Sequence, residues 1–411
     1  MSARLLFCAV LVGLDAYGFL AIRPLLGARS RGVRRAFALA WWLVPALTAT
    51  YLAAASAGGG DGSLRSGGWV LAGAAIVIAY LSKFVLAAFL LVDDLRRAVA
   101  AATRAISRRG QEAFWPDRSR FLTQLAMLAG SLPAVVLTYG IVRNPYRYRI
   151  HEVDVPLAWL PPKLDGLRIA QISDIHSGSF FRTDPIADGI RALNDLAPDL
   201  ACFTGDLVNA RATEIEPYLD VFSRIEARLG TYSIIGNHDY GDYVAGWAEA
   251  DKAANWERLY RNHERLGWDL LLNEHRVLDV DGEPLAVLGV ENWSAIERFP
   301  RTGDLARAAA GAEGVATKVL LSHDPTHWDA EVRESPLAIQ LQLSGHTHGF
   351  QFGVEIPGFR WSPSQYVYAQ WAGLYSRGGR HLYVNRGFGF LGYPGRVGIL
   401  PEVTLLRLVT A

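Results

Sequence analysis

Leu167–His176 reads LRIAQISDIH, an apolar run of strand length that ends by delivering a carboxylate and an imidazole two residues apart. A short apolar run with β-branched Ile169 and Ile172 reads as a buried strand. The arrangement recurs along the chain. Leu200–Thr204 runs into Gly205 and Asp206, and Tyr232–Ile235 into Gly236, Asn237, His238 and Asp239. Val319–Ser322 leads to His323, and Ile339–Leu343 to Gly345, His346 and His348. Leu285–Val290, Leu382–Asn385 and Val403–Leu408 supply further strands. Between the first two strands, Thr183 as N-cap, Pro185 near the first turn, and Ile186, Ile190 and Leu193 on one face predict a helix. This alternation predicts an α/β layered domain. In such sheets ligands gather beyond the carboxyl ends of the strands, where these polar residues stand.

Outward from that segment, the composition divides. Long apolar runs fill the first third of the 411 residues, while all ten histidines follow position 150. Two solvents are implied. We divide the chain into a transmembrane helical domain (1–142), a linker (143–164) and an α/β domain (165–411). Pro145, Pro156, Pro161 and Pro162 discourage a helix in the linker and leave room for a lead-in strand. A net charge of +1 argues against a nucleic-acid partner. With only Cys8 and Cys202 there is no disulfide framework and no cysteine zinc site, so any metal must be held by His, Asp and Asn.

Four stretches have the length of bilayer spans: Leu5–Ile22, Phe37–Ser56, Gly68–Val92 and Phe121–Val142. The loop after the first carries Arg23, Arg29, Arg31, Arg34 and Arg35. The loop after the third carries Arg96, Arg97, Arg104, Arg108, Arg109, Arg118 and Arg120, while the intervening loop has only Asp61 and Arg65. Positive loops face the cytoplasm, which puts the α/β domain on the extracytoplasmic side of an inner or plasma membrane. Asp15 and Lys83 lie within spans. They read either as a transport or proton pathway, or as an ion pair or charges that snorkel to the interface, and one acid with one base falls short of a relay.

Any one of the polar blocks is weak evidence. Together, Asp174-Ile175-His176, Gly205-Asp206, Gly236-Asn237-His238-Asp239, His323 and Gly345-His346-Thr347-His348 resemble the signature of the calcineurin-like metallophosphoesterases. Ser173, Leu343–Gly349, Asn385–Gly389 and Pro401-Glu402 resemble its bacterial membrane-associated branch. Phe350 departs from that branch, where many members carry a second glycine. The resemblance implies a four-layer sandwich of two mixed β-sheets flanked by helices. It implies two divalent cations (manganese, iron or zinc), one on Asp174, His176 and His348 and one on Asn237, His323 and His346, bridged by Asp206. Such a pair activates a water and clamps phosphoryl oxygens. His238 is implied as catalytic, with Asp239 orienting it and Asn237 also near the substrate. Arg386 is a candidate phosphate ligand, set against the common solvated arginine.

The expected function is hydrolysis of a phosphodiester, pyrophosphate or phosphomonoester by a metal-activated hydroxide. The partners are the bilayer and a phosphorylated small-molecule or lipid-linked substrate. The alternatives are a catalytically silent scaffold or receptor on a membrane anchor, and a transporter with a hydrolase domain. His151, His263, His275, His327 and His381 fit no ligand spacing and read as structural or surface residues. Tyr240–Leu266 reads as a core-facing helix rather than a membrane-touching cap.

Overall fold

The computed structural model describes residues 3–27, 29–57, 67–107, 116–244 and 246–411, which leaves Asp61, Arg65, Arg108 and Arg109 outside the described residues. The chain divides into two compact units, Met1–Tyr139 and Gly140–Ala411.

The first unit is helical: α1 (Ala3–Ile22), α2 (Arg31–Ala57), α3 (Gly67–Ser107) and α4 (Pro116–Arg143), the last ending in the second unit. All four are long and apolar enough to cross a membrane. The helix α3 corrects the expected loop, because it continues 41 residues to Ser107 and takes Arg96, Arg97 and Arg104 with it. Asp93 pairs with Arg96 and Asp94 with Arg97, one turn apart, and such pairs sustain an exposed helix beyond its apolar part. Asp15 and Lys83 do pair, Nζ to Oδ1 at 2.5 Å, both buried, and Tyr80 donates to the same carboxylate at 2.9 Å.

In the second unit, two six-stranded sheets face each other. The first has the order β1 (Arg149–Leu157), β14 (Glu402–Thr410), β2 (Arg168–Ile172), β3 (Leu200–Thr204), β4 (Thr231–Ile234) and β5 (Asp269–Leu270). The second has β12 (Gly373–Arg377), β13 (Arg380–Val384), β9 (Leu341–Ser344), β8 (Thr317–Leu321), β7 (Glu283–Gly289) and β6 (Glu274–Val280). A separate hairpin joins β10 (Val354–Ile356) to β11 (Phe359–Trp361). Ile169, Leu200 and Ile234 of one sheet meet Val287, Val319 and Leu343 of the other in a dry core. Helices α5 (Asp184–Asn194), α6 (Leu219–Phe222) and α7 (Glu249–Leu266) cover the outer face of the first sheet, and α8 (Leu305–Ala309) lies on the second. This is the expected four-layer sandwich.

Ile186, Ile190 and Leu193 are buried on α5, although the Thr183 side chain makes no capping bond. The helix α7 buries Leu259, His263 and Leu266 against the core, in keeping with the core-facing reading. Strands β2, β3 and β4 are mutually parallel, as are β8, β9 and β13. Their carboxyl ends therefore collect at one edge of the sandwich.

Candidate active site

Five of the seven candidate ligands leave a strand end through a constrained turn. Asp174, His176, Asp206, His346 and His348 all have left-handed backbone, with φ of 51°, 47°, 60°, 70° and 50°. Side chains other than glycine pay about 1–2 kcal/mol for that conformation, and such strain persists where the surroundings over-determine it. Here neighbouring loops lock one another. The Asp174 N–H donates to Gly205 O (2.9 Å), the His176 N–H to Asp206 O (3.1 Å) and the Gly345 N–H to His323 O (2.9 Å). The approach is close enough to demand glycine: a Cβ on Gly345 would lie 1.9 Å from Ser173 Oγ and 2.2 Å from Asp174 Oδ2.

The side chains converge in two groups, Asp174 with His176 and His348, and Asp206 with His323 and His346, whose ligand atoms lie within 4.8 Å of one another in each group. His176 Nε2 stands 3.0 Å from His348 Nε2 and 3.5 Å from Asp206 Oδ2. His323 Nε2 is 3.1 Å from the same Asp206 oxygen, so Asp206 lies between the groups. Asn237 donates its amide N–H to Tyr243 Oη (2.8 Å), which leaves Oδ1 buried without a hydrogen-bond partner among the described residues. A buried acceptor left this way is costly unless a cation or donor meets it.

The electrostatics divide the donor set. Burial holds His176 and His346 neutral, at about 3 and about 4, and keeps His348 well below its usual range. Burial also pushes Asp174 up to about 7. Burial opposes charge on Asp206 and His323 as well, but their mutual attraction prevails, holding Asp206 well down and His323 up at about 10. Three imidazoles held neutral, a fourth (His323) and a carboxyl (Asp174) from which a bound cation would displace the proton, and the buried Asn237 amide oxygen form two adjacent groups that suit a pair of divalent cations.

A family model described as "Calcineurin-like phosphoesterase" matches residues 167–350, and one described as "Probable Calcineurin-like phosphoesterase, transmembrane domain" matches residues 1–145. The chain belongs to the calcineurin-like metallophosphoesterases. It is 30% identical over 311 residues to a "Transmembrane protein with metallophosphoesterase domain" of Danio rerio, covering 74% of this chain and 66% of that one. Over 295 residues it is 29% identical to "Uncharacterized metallophosphoesterase YkuE" of Bacillus subtilis, covering 68% of this chain and 94% of the relative. "Phosphodiesterase YaeI" of Escherichia coli is 28% identical over 264 residues, 62% of this chain and 86% of the relative. Membership places this integral membrane protein among metal-dependent phosphoesterases.

A cavity of about 510 Å³ opens over the site, lined by His176, Asp206, Asn237, His238, His346 and His348 among others. His238 is fixed by its Nδ1, 2.8 Å from Asn209 O, and its ring stacks on Tyr243 with centroids 4.3 Å apart. Asp239 does not orient it. The Asp239 carboxylate instead accepts the backbone N–H groups of Asp206, Leu207, Val208 and Gly236 at 2.8–3.2 Å, because its side chain turns inward beneath the Asp206 loop. Burial pushes Asp239 up to about 7 even so.

Arg386 is likewise not brought to the cavity. Its guanidinium is buried between Glu402 and Glu355, 2.6 Å from each, and two carboxylates satisfy the charge that a phosphate would have met. The cationic side chain on the cavity wall is Arg298, exposed, with Cζ 4.6 Å from the Phe299 ring centroid. Tyr368 Oη, 2.9 Å from His346 Nε2, and Asp324 Oδ2, 3.5 Å from it, complete the second group. Sequence reading missed Arg298 and Tyr368 because neither follows a strand end; Asp324 is adjacent to His323 and could have been found there.

Four of the five histidines set aside have structural partners. His263 bonds Ser233, His275 bonds Ala308 O, His327 bonds Ser322 and Glu331, and His381 bonds Ser376.

Proposed function

We propose that this protein hydrolyses a phosphodiester, pyrophosphate or phosphomonoester presented at a membrane surface, with its α/β domain on the extracytoplasmic side. The observation that carries the reading is the convergence of two ligand groups on one shared carboxylate, Asp206, beneath a cavity that His238 also lines. Asp174, His176 and His348 would hold one cation and Asn237, His323 and His346 the other, with Asp206 between them. Bound divalent cations would supply neutralisation of phosphoryl charge and activation of water.

The chain's own residues do the rest. Arg298 offers a fixed positive charge at the cavity wall for the phosphoryl oxygens. His238, held through Nδ1 by the Asn209 carbonyl, has its remaining ring nitrogen for proton transfer to the leaving oxygen. The backbone N–H of His238 donates to Asp206 Oδ1 at 2.8 Å, so the proton donor and the central carboxylate are positioned by one turn. The arginine-rich segments after α1 and at the end of α3, read as cytoplasmic, support the extracytoplasmic orientation.

The test is hydrolysis by the purified full chain loaded with manganese, using a chromogenic phosphodiester, a monoester and a UDP-sugar lipid. Turnover that Asp206→Asn abolishes supports the reading. Folded protein that retains metal and turns over none of the three overturns it.

A further inference from the structure

The β10–β11 hairpin is built inside out for a water-soluble domain. Its register pairs Val354 with Trp361, Glu355 with Arg360, and Ile356 with Phe359. Cross-strand partners share a face, so one face is entirely apolar and the other carries both charges. The charged face contacts the protein, with Arg360 itself still exposed. Glu355 bonds Arg386 at 2.6 Å and approaches Arg149 at 4.0 Å, and Arg360 sits 5.0 Å over the Trp371 ring. The apolar face points out, with Val354 41%, Ile356 58% and Phe359 54% exposed, and nearby Tyr366 75% exposed. A contiguous exposed apolar patch of this kind marks a contact surface.

Its place in the fold selects the partner. Strand β1 is parallel to β14, which is antiparallel to β2, while β2, β3 and β4 are parallel. The amino end of β1 therefore lies at the same edge as the carboxyl ends that carry Asp174, Asp206 and Asn237. The chain leaves the membrane-spanning helix α4 at Arg143 and enters β1 at Arg149, a stretch of on the order of 20 Å when fully extended. Asn144 at that exit donates to Arg396 O at 2.8 Å, and Val397 bridges Phe352 at the base of the hairpin. The entry point from the bilayer, the hairpin and the catalytic edge are thus contiguous within this unit. Aromatic and aliphatic side chains flanked by arginines are the composition that settles into a lipid interface.

We propose that the β10–β11 hairpin seats its apolar face in the lipid headgroup region and holds the mouth of the active site at the bilayer surface, so that the substrate is a phosphate ester embedded in that membrane. The choice of substrate rests on the hydrolase reading above; the docking itself does not.

The test uses the full chain with Cys8→Ser, since Cys202 is buried, in vesicles of phosphatidylethanolamine and phosphatidylglycerol. Nitroxide labels on Phe359→Cys and, at the opposite edge, Asp281→Cys are compared for collision with oxygen and with a water-soluble nickel chelate. Docking predicts at least about tenfold less nickel access at 359 than at 281. Equal access at both positions overturns the proposal. So does protection at 359 that persists in detergent together with crosslinked dimers, which would assign the face to a second copy. In parallel, Ile356→Glu with Phe359→Glu is expected to lower turnover of an acyl-chain phosphodiester at least about tenfold while its water-soluble parent is hydrolysed as before. Equal loss on both substrates counts against docking. If the unaltered chain hydrolyses neither, the hydrolase reading falls while the label depths still decide the docking.

Discussion

Gly345→Ala isolates the geometric demand of the site from its chemistry. Gly345 does not occupy the left-handed region, so alanine is tolerated by the backbone and the effect is steric. The added Cβ would stand 1.9 Å from Ser173 Oγ, 2.8 Å from Ser173 Cβ and 2.2 Å from Asp174 Oδ2. Those atoms have nowhere to go. Ser173 and Asp174 are fully buried, and Asp174 is pinned by the His346 N–H, 3.0 Å from each carboxylate oxygen. Relieving the contact moves the carboxylate by about 1 Å, a misplacement that costs on the order of a hundredfold in rate. Overpacking of this kind destabilises by about 1–3 kcal/mol. The assays are metal content, turnover and thermal unfolding of the purified chain. We expect metal content to fall toward one ion per chain, because Asp206, His323 and His346 form a separate group. Adding Ser173→Ala removes the closest contact and should recover part of the unfolding temperature but not turnover, since the clash with Asp174 remains. A Gly345→Ala protein with full metal content and turnover within about twofold of the original would refute the placement of Asp174 as a ligand, given that near-attack geometry is this sensitive.

Four other outcomes follow from the same geometry. His238→Ala should keep its metal and lose about 10²–10⁴-fold in kcat on an ester with a poor leaving group, and much less on a nitrophenyl ester, which departs without a proton; equal losses on both would remove the proton-donor role. Arg298→Ala should raise KM about tenfold or more with little change in kcat if its charge binds ground state and transition state alike, read from steady-state kinetics. Asp15→Leu alone leaves the Lys83 ammonium buried without its carboxylate and should destabilise by about 3–5 kcal/mol, whereas Asp15→Leu with Lys83→Leu should cost less and leave hydrolysis and ion flux unchanged. Phe350→Gly relieves a left-handed residue (φ 57°) and should leave unfolding temperature unchanged or slightly raised, within about 1 kcal/mol, while raising KM for an acyl-chain diester.

The strands of the sandwich were legible where burial on both faces leaves a nearly continuous apolar run. Ile169–Ile172, Leu200–Thr204 and Val319–Leu321 have this character and are buried throughout. The edges were not. Glu274–Val280 buries only its last residue and carries three charged side chains before it, and the hairpin strands are three residues each, too short for periodicity to register. The helix α3 outran its apolar span for a comparable reason: hydropathy marks where a bilayer ends, not where helical hydrogen bonding ends, and Asp93–Arg97 continues the helix with paired charges.

At the site, position along the chain revealed the residues that directly follow strands, and it failed for those whose role depends on a side chain's direction. Asp239 lies two residues after Asn237, yet its carboxylate turns to four backbone N–H groups rather than to the His238 ring. Arg386 follows β13 but is claimed by Glu402 and Glu355, while Arg298 stands in the loop between β7 and α8, well beyond the strand end, where position alone draws no attention. The departure at Phe350 has a physical reading only with the backbone in hand. The turn after His348 places Gly349 and Phe350 at φ of 52° and 57°, so a second glycine would be the unstrained choice. Phenylalanine there costs about 1–2 kcal/mol and burial does not repay it, since the ring is 63% exposed. The ring instead lines the active-site cavity, on the turn that leads into the apolar hairpin. A strained, exposed aromatic on the cavity wall is the arrangement expected under the proposed reading of a substrate embedded in the membrane, whose apolar portion the ring would meet.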